Sequence, residues 1–363
     1  MDTTSLEHPS GGARRPGRAL HLDLLRVLAI FLVVLNHSGA YLYYLQVQSP
    51  ALRLLCACFS CLIKTAVPLF FMISGALLLE KEESLAELFR KRVLRYALVL
   101  ILFSLASHLW DLYQSHGRFS LYFFLSRLYA YRFVDSYWFL YGYLGFLLGL
   151  PLLRRLAKGM RDRDFYYMIA LMLGYHLVEI FIALFIKEEL SVEGSFVLFP
   201  IVYSVFYPLF GYYLERRLPK AAFAPRGLWL SLALSLAAVL LMVLSTLTYC
   251  RRFDVWTAGP GEVYFWSLAL VPAGGLYIQA KALYQHHHPG ALPRQALLVF
   301  GSCSFGVYLL QHALNELLES PVAALGQVIG AFPAALLQGL LVCLLGTGIT
   351  LLLKQIPGLK KLL

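Results

Sequence analysis

Two ionisable residues stand eleven positions apart in one apolar run: Arg26 and His37 in LDLLRVLAIFLVVLNH. On a helix, eleven residues turn about 20° beyond three full turns and rise about 16 Å, so both side chains leave one face at two depths. Charge inside lipid is costly and marks function by default. The competing reading lets Arg26 snorkel to one set of headgroups and His37 reach the other interface. An imidazole changes charge near neutral pH, which suits it to general-base chemistry. Three more pairs follow in later apolar runs: His108 with Asp111, His176 with Glu179, and His312 with Glu316. Spacings of three and four place the members of a pair on one helix side. A carboxylate there fixes the tautomer of an imidazole and raises its basicity; the same spacing equally serves a satisfied buried contact. These spacings are too common to specify a metal, and no metal site is expected. The triplet His286–His288 reads as an exposed polar loop.

The elements that must carry these residues are set by composition. The chain has 363 residues, of which 60% are hydrophobic and only 14% charged. Soluble domains carry about 25% charged residues, so a disordered tail and a soluble α/β enzyme are both excluded. A bilayer-spanning helix needs about 20 mainly apolar residues, and lipid satisfies no exposed backbone group. Ten segments qualify: 20–41, 53–79, 93–114, 136–156, 165–186, 194–214, 226–248, 262–283, 298–318 and 330–354. The expectation is an all-α polytopic membrane protein of about ten transmembrane helices. Residues 1–19 form a polar basic N-terminus, 20–354 a single transmembrane domain, and 355–363 a short tail.

The net charge of +11 is not the footprint of nucleic acid, because the basic residues cluster between apolar runs. One alternating set of flanks holds 22 of the 31 Lys and Arg residues, including Arg14, Arg90–Arg95, Arg154, Arg216 and Lys360. The positive-inside rule therefore puts both termini in the cytoplasm. The polar N-terminus runs into apolar residues without a small-residue cleavage site, as a signal anchor does. Six cysteines lie mostly within apolar runs, where Cys behaves as a small hydrophobe, and no disulfide framework is expected. Segment 115–135, rich in Tyr and Phe, reads as an interfacial amphipathic helix.

Five segments in order are similar to those of one family. Arg26-x10-His37 resembles the first-helix signature of the acyltransferase family 3 integral membrane proteins. VPLFFMISGALL resembles the family's FF-x-x-SG-x-LL, and Arg92-x-x-Arg95 in FRKRVLRY its cytoplasmic R-x-x-R. SYWFLYGYLGFLLGLPLL is similar to its W-[FY]-L segment, and CSFGVYLLQH to its S-x-[GS]-x-Y-L-x-x-H helix. Gln311 stands before His312 where an apolar residue is commoner. The resemblance runs from residue 20 to about 350.

The resemblance implies transfer of an acyl group, usually acetyl from acetyl-CoA, to a hydroxyl of a carbohydrate or other cell-envelope molecule. It makes His37 the catalytic histidine, Arg26 its motif partner, and Arg92 and Arg95 part of a cytoplasmic donor site. Acyl-CoA is then a donor substrate, with no permanently bound cofactor, and the chain sits in a bacterial inner or plasma membrane. Basic groups at the inner mouth suit the phosphates of CoA. Asn36, Ser74 and Trp138 are candidates to line the cavity, with Asp111, His312 and Glu316 in support. Gly75 serves close helix approach. Partners are the acyl-CoA, a carbohydrate or lipid-linked glycan acceptor, and lipid. Direct attack and an acyl-enzyme on His37 both fit, acetyl and succinyl donors both fit, and the acceptor is open. Another class fits the buried charges too: a transporter or flippase of a lipid-linked glycan, though the sequence carries no paired inverted repeats.

Overall fold

The computed structural model describes residues 19–38, 49–185, 202–253, 268–286 and 290–363; the expected loop at 187–193 and most of His286–His288 lie outside them. The described residues form helices and no strand. In chain order these are α1 Leu20–His37, α2 Pro50–Ile63, α3 Ala66–Leu78, α4 Leu85–Ser115, α5 Leu121–Ala130, α6 Trp138–Gly159 and α7 Asp162–Phe185. Then come α8 Tyr203–Arg216, α9 Pro225–Arg252, α10 Leu270–His286, α11 Ala291–Ile329, α12 Ala331–Leu353 and α13 Pro357–Leu362. Eight helical segments among the described residues are long and apolar enough to cross a membrane, with α2 and α3 counted as one segment. The expected spans 194–214 and 262–283 overlap α8 and α10 only in part; these described helices, 14 and 17 residues long, are not among the eight, and the starts of both spans lie outside the described residues.

Helix α1 is central. It packs against α3, α10, α11 and α12, and Leu22, Leu25, Ala29 and Leu32 repeat at helical spacing along its buried side. Its last turn is closed by Ser38, whose hydroxyl donates to the Leu35 carbonyl at 2.9 Å. Peripheral α9 instead turns Trp229, Leu230, Leu234 and Leu236 outward. Such a surface is unfavourable in water and ordinary against lipid.

Between helices in lipid, close van der Waals packing replaces the hydrophobic effect. The α3–α8 crossing shows this. A Cβ on Gly75 would fall 1.9 Å from the Pro208 carbonyl oxygen, and one on Gly211 would fall 2.1 Å from that of Met72. The two backbones touch through paired glycines, so Gly75 is a packing residue.

Three elements depart from the expected spans, each for a local reason. Segment 53–79 is two helices, because Pro68 lacks the N–H that would bond the Lys64 carbonyl four residues back. The Thr65 hydroxyl donates to the Leu62 carbonyl at 2.7 Å and closes the first piece. Helix α4 starts at Leu85 and contains a wider π turn over Phe89–Val93. Helix α11 runs 39 residues, nearly twice the expected span, which at 1.5 Å per residue carries it well beyond a hydrocarbon core of about 30 Å. The expected interfacial segment contains α5, with Phe124 buried and Tyr122 and Tyr129 exposed.

Candidate active site

Two cavities meet at the C-terminal end of α1. The first encloses about 290 Å³ and runs along α1 from Arg26 to His37. Its wall is largely aromatic: Phe70 from α3, Phe139 and Tyr143 from α6, Tyr96 from α4, and Phe305 and Tyr308 from α11. The second, about 970 Å³, is lined by polar and charged groups from the 132–136 segment, α11 and α12. Two residues line both, His37 and Ser136. The same-face spacing of Arg26 and His37 is thus realised as the two ends of one cavity.

At the first end, the Arg26 Nη1 donates to the Asp23 carboxylate at 2.6 Å. Asp23 is fully buried, and a buried carboxylate is tolerable when a guanidinium sits on it. Arg92 lines the cavity and grips Glu83 through Nε at 2.9 Å and Nη2 at 3.3 Å. Arg154 donates to the same carboxylate at 2.9 Å and to the Leu78 carbonyl at 2.9 Å, tying α6 to the end of α3. Burial alone would raise the Glu83 pKa, but the hydrogen bonds and charges of Arg92 and Arg154 outweigh it and hold the carboxyl below its usual range. Arg95 lies beyond the π turn and is not part of the cavity wall; its Nε donates to the Leu362 carbonyl of α13 at 3.1 Å. Arg92 lies within the π turn and Arg95 just after it, and the two, three apart, bond different partners.

At the His37 end, Asn36 also lines the first cavity and accepts a hydrogen bond from the Lys64 ammonium at 3.0 Å. Lys64 is brought there by the break between α2 and α3. Ser74 donates to the Phe70 carbonyl at 2.8 Å and lies 3.3 Å from the Tyr143 hydroxyl. Trp138 lines the first cavity, edge-on to Phe139 and Tyr203. In the second cavity, His312 and Glu316 approach to 3.3 Å, as their spacing predicts. Arg127 stacks over Phe133 at 4.9 Å.

The remaining pairs fall elsewhere. Asp111 is exposed and lines neither cavity, while His108 is buried among Phe119, Phe123, Phe124 and Phe133. His176 and Glu179 do meet, at 2.8 Å, but outside both cavities.

Several site residues escaped the sequence reading. Asp23 had a signal, an acid three residues before Arg26. Lys64 was visible as a charge in an apolar run. Glu83, Ser136, Asn315 and Gln338 had none, since long-range contacts alone bring them in.

The arrangement holds cations at one end of an aromatic cavity and an imidazole at the other, where a polar cavity begins. A family model described as an acyltransferase domain, acyltransferase family 3, matches residues 20–354. Neither a curated protein nor a solved structure matches the chain significantly.

Proposed function

The chain belongs to acyltransferase family 3, and from that premise we propose that it moves an acyl group from an acyl-CoA, most simply acetyl-CoA, to a hydroxyl of a cell-surface carbohydrate or related envelope molecule. One observation carries the reading: His37 borders both cavities, so it meets a donor filling one and an acceptor filling the other.

In this reading the first cavity takes the pantetheine arm from the cytoplasm. Arg92 lies at its mouth, where charge-assisted bonds recognise the phosphates of CoA, beside the Arg26–Asp23 pair. The thioester then lies beside His37. Imidazole Nε2 or Nδ1 removes the proton of the acceptor hydroxyl as its oxygen attacks the thioester carbonyl. The tetrahedral adduct carries an oxyanion, for which Lys64, held on Asn36, supplies positive charge in the same cavity. Collapse breaks the C–S bond, and the imidazolium returns its proton to the CoA thiolate. Both termini are cytoplasmic in this reading, and the second cavity faces the outside.

The test is single-turnover transfer of labelled acetyl from acetyl-CoA to envelope glycan by purified protein. His37→Ala should fold and bind CoA but transfer at least about a hundredfold more slowly, the usual cost of losing a general base. His312→Ala, removing a group from the second cavity only, should lose less. Near-wild-type transfer by His37→Ala would sink the mechanism.

A further inference from the structure

Buried polar atoms in native proteins almost always have a hydrogen-bond partner, and the second cavity breaks that rule at three residues. Gln311 is fully buried, yet neither its Nε2 nor its Oε1 has a partner among the described residues. One turn along α11, Asn315 is nine-tenths buried, and its Nδ2 is likewise without a partner. Its amide orientation is fixed, because the Gln338 Nε2 from α12 donates to the Asn315 Oδ1 at 3.1 Å and leaves the Nδ2 hydrogens free. The Ser136 hydroxyl is the third such group; its backbone carbonyl is held by the Tyr308 hydroxyl, while its own Oγ has no partner among the described residues. All three residues line the cavity that reaches His37.

Each orphaned group costs folding free energy unless something satisfies it. Together they put unmet donors and acceptors in the wall of one space, next to the candidate base. We infer that Gln311, with Asn315 and Ser136, reads the hydroxyl or amide groups flanking the reacting hydroxyl of a polyhydroxylated acceptor, and so sets which acceptor is acylated. Gln311 is a specificity residue in this scheme, one that does not touch the thioester. The inference rests on the acyltransferase reading above. Its chemistry predicts sharp discrimination: a site built to hydrogen-bond a group rejects an analogue lacking it far more strongly than an apolar pocket does.

The decisive variant is Gln311→Met, close in size but without polar atoms, with Asn315→Leu as the second. Two measurements are made on each: incorporation of labelled acetyl into the envelope fraction of cells, and, on purified protein, acetyl-CoA hydrolysis with thermal stability in detergent. Replacing an unsatisfied buried amide by an apolar isostere is neutral or stabilising. Expected, therefore, is unchanged or raised stability, wild-type acetyl-CoA hydrolysis, and at least about tenfold less envelope acetylation. A structural Gln311 predicts lower stability and loss of both reactions; an amide that merely holds water predicts no change in envelope acetylation. Either result overturns the inference while leaving the acyltransferase reading intact. If the wild-type protein neither hydrolyses acetyl-CoA nor labels the envelope, the reading fails and the inference fails with it.

Discussion

Replacing Arg92 with alanine should weaken acyl-CoA binding about tenfold to a hundredfold, whereas replacing Arg95 should weaken it less than about fivefold. A charge-assisted contact to a phosphate is worth about 1.5–3 kcal/mol, and each 1.4 kcal/mol is a factor of about ten in affinity. The expected value sits at the low end of that range, because Arg92 already bonds Glu83 and must share its donors with an incoming phosphate. Arg95 lines no part of the cavity, and its Nε is held by the Leu362 carbonyl. In the proposed reading it would act on the donor only as a screened charge, worth about 0–1 kcal/mol.

The substitution is clean in one further respect. Without Arg92, Glu83 keeps Arg154 at 2.9 Å and Lys81 at 3.9 Å, so no carboxylate is left buried alone. Binding of tritiated acetyl-CoA to purified protein in detergent measures both variants at low and high salt. Arg92→Lys belongs in the set: it keeps the charge and loses the planar fork, and should fall between wild type and alanine. Equal losses for Arg92→Ala and Arg95→Ala would show that the cavity wall does not decide which arginine meets the donor. No loss for either would remove the phosphates from this end altogether.

Gly75→Val should abolish folded protein, since its Cβ would meet the Pro208 backbone at 1.9 Å, and overpacking that only backbone movement can relieve costs at least about 1–3 kcal/mol. Gly145→Ala, with nothing within 4 Å of its added Cβ, is the matched control, and size-exclusion chromatography of both in detergent decides the comparison. For topology, ten spans with both termini cytoplasmic require residues 187–193 to lie outside the cell. A cysteine placed there should react with an impermeant maleimide in intact cells, and protection from it would redraw the membrane path.

The sequence made the spine of this site legible because the spine is local. Arg26 and His37 share a helix, so helical geometry alone aligned them. Contacts at spacing three and four were legible too, as His176–Glu179 and His312–Glu316 show. Spacing does not say whether a pair faces a cavity, and that is why one of these pairs lies in the second cavity and the other outside both. His108 and Asp111 share the same spacing yet part company, because the rings of Phe119, Phe123 and Phe124 claim the imidazole. The break at Lys64 was written in Pro68, but hydropathy averages over a proline and reads one continuous span. The π turn at Phe89–Val93 left no sequence mark that separated Arg92 from Arg95. Asn315 and Gln338 meet across 23 positions, a distance no periodicity argument covers.

The distribution of charge along the first cavity bears on why its two ends suit two tasks. Arg26 is neutralised by Asp23, a pair that fixes geometry and leaves little net charge. Around Glu83 the balance differs: Arg92, Arg154 and Lys81 surround one carboxylate, so that end stays positive overall. At the other end Lys64 donates to the amide of Asn36, which orients the ammonium. An aromatic wall of low polarity joins the two, and charge is screened less there than in water. In the proposed reading, a polyanion is favoured at the first end, and an oxyanion forming on a thioester carbonyl at the second. These positions are set before any substrate arrives, by Asp23, Glu83, Asn36 and the backbone break at Pro68. Electrostatic stabilisation of a transition state works through groups already held in place. A transport pathway has the opposite need, since its site must be released in turn to each side of the membrane. The paired, anchored charges of this cavity therefore favour catalysis over passage.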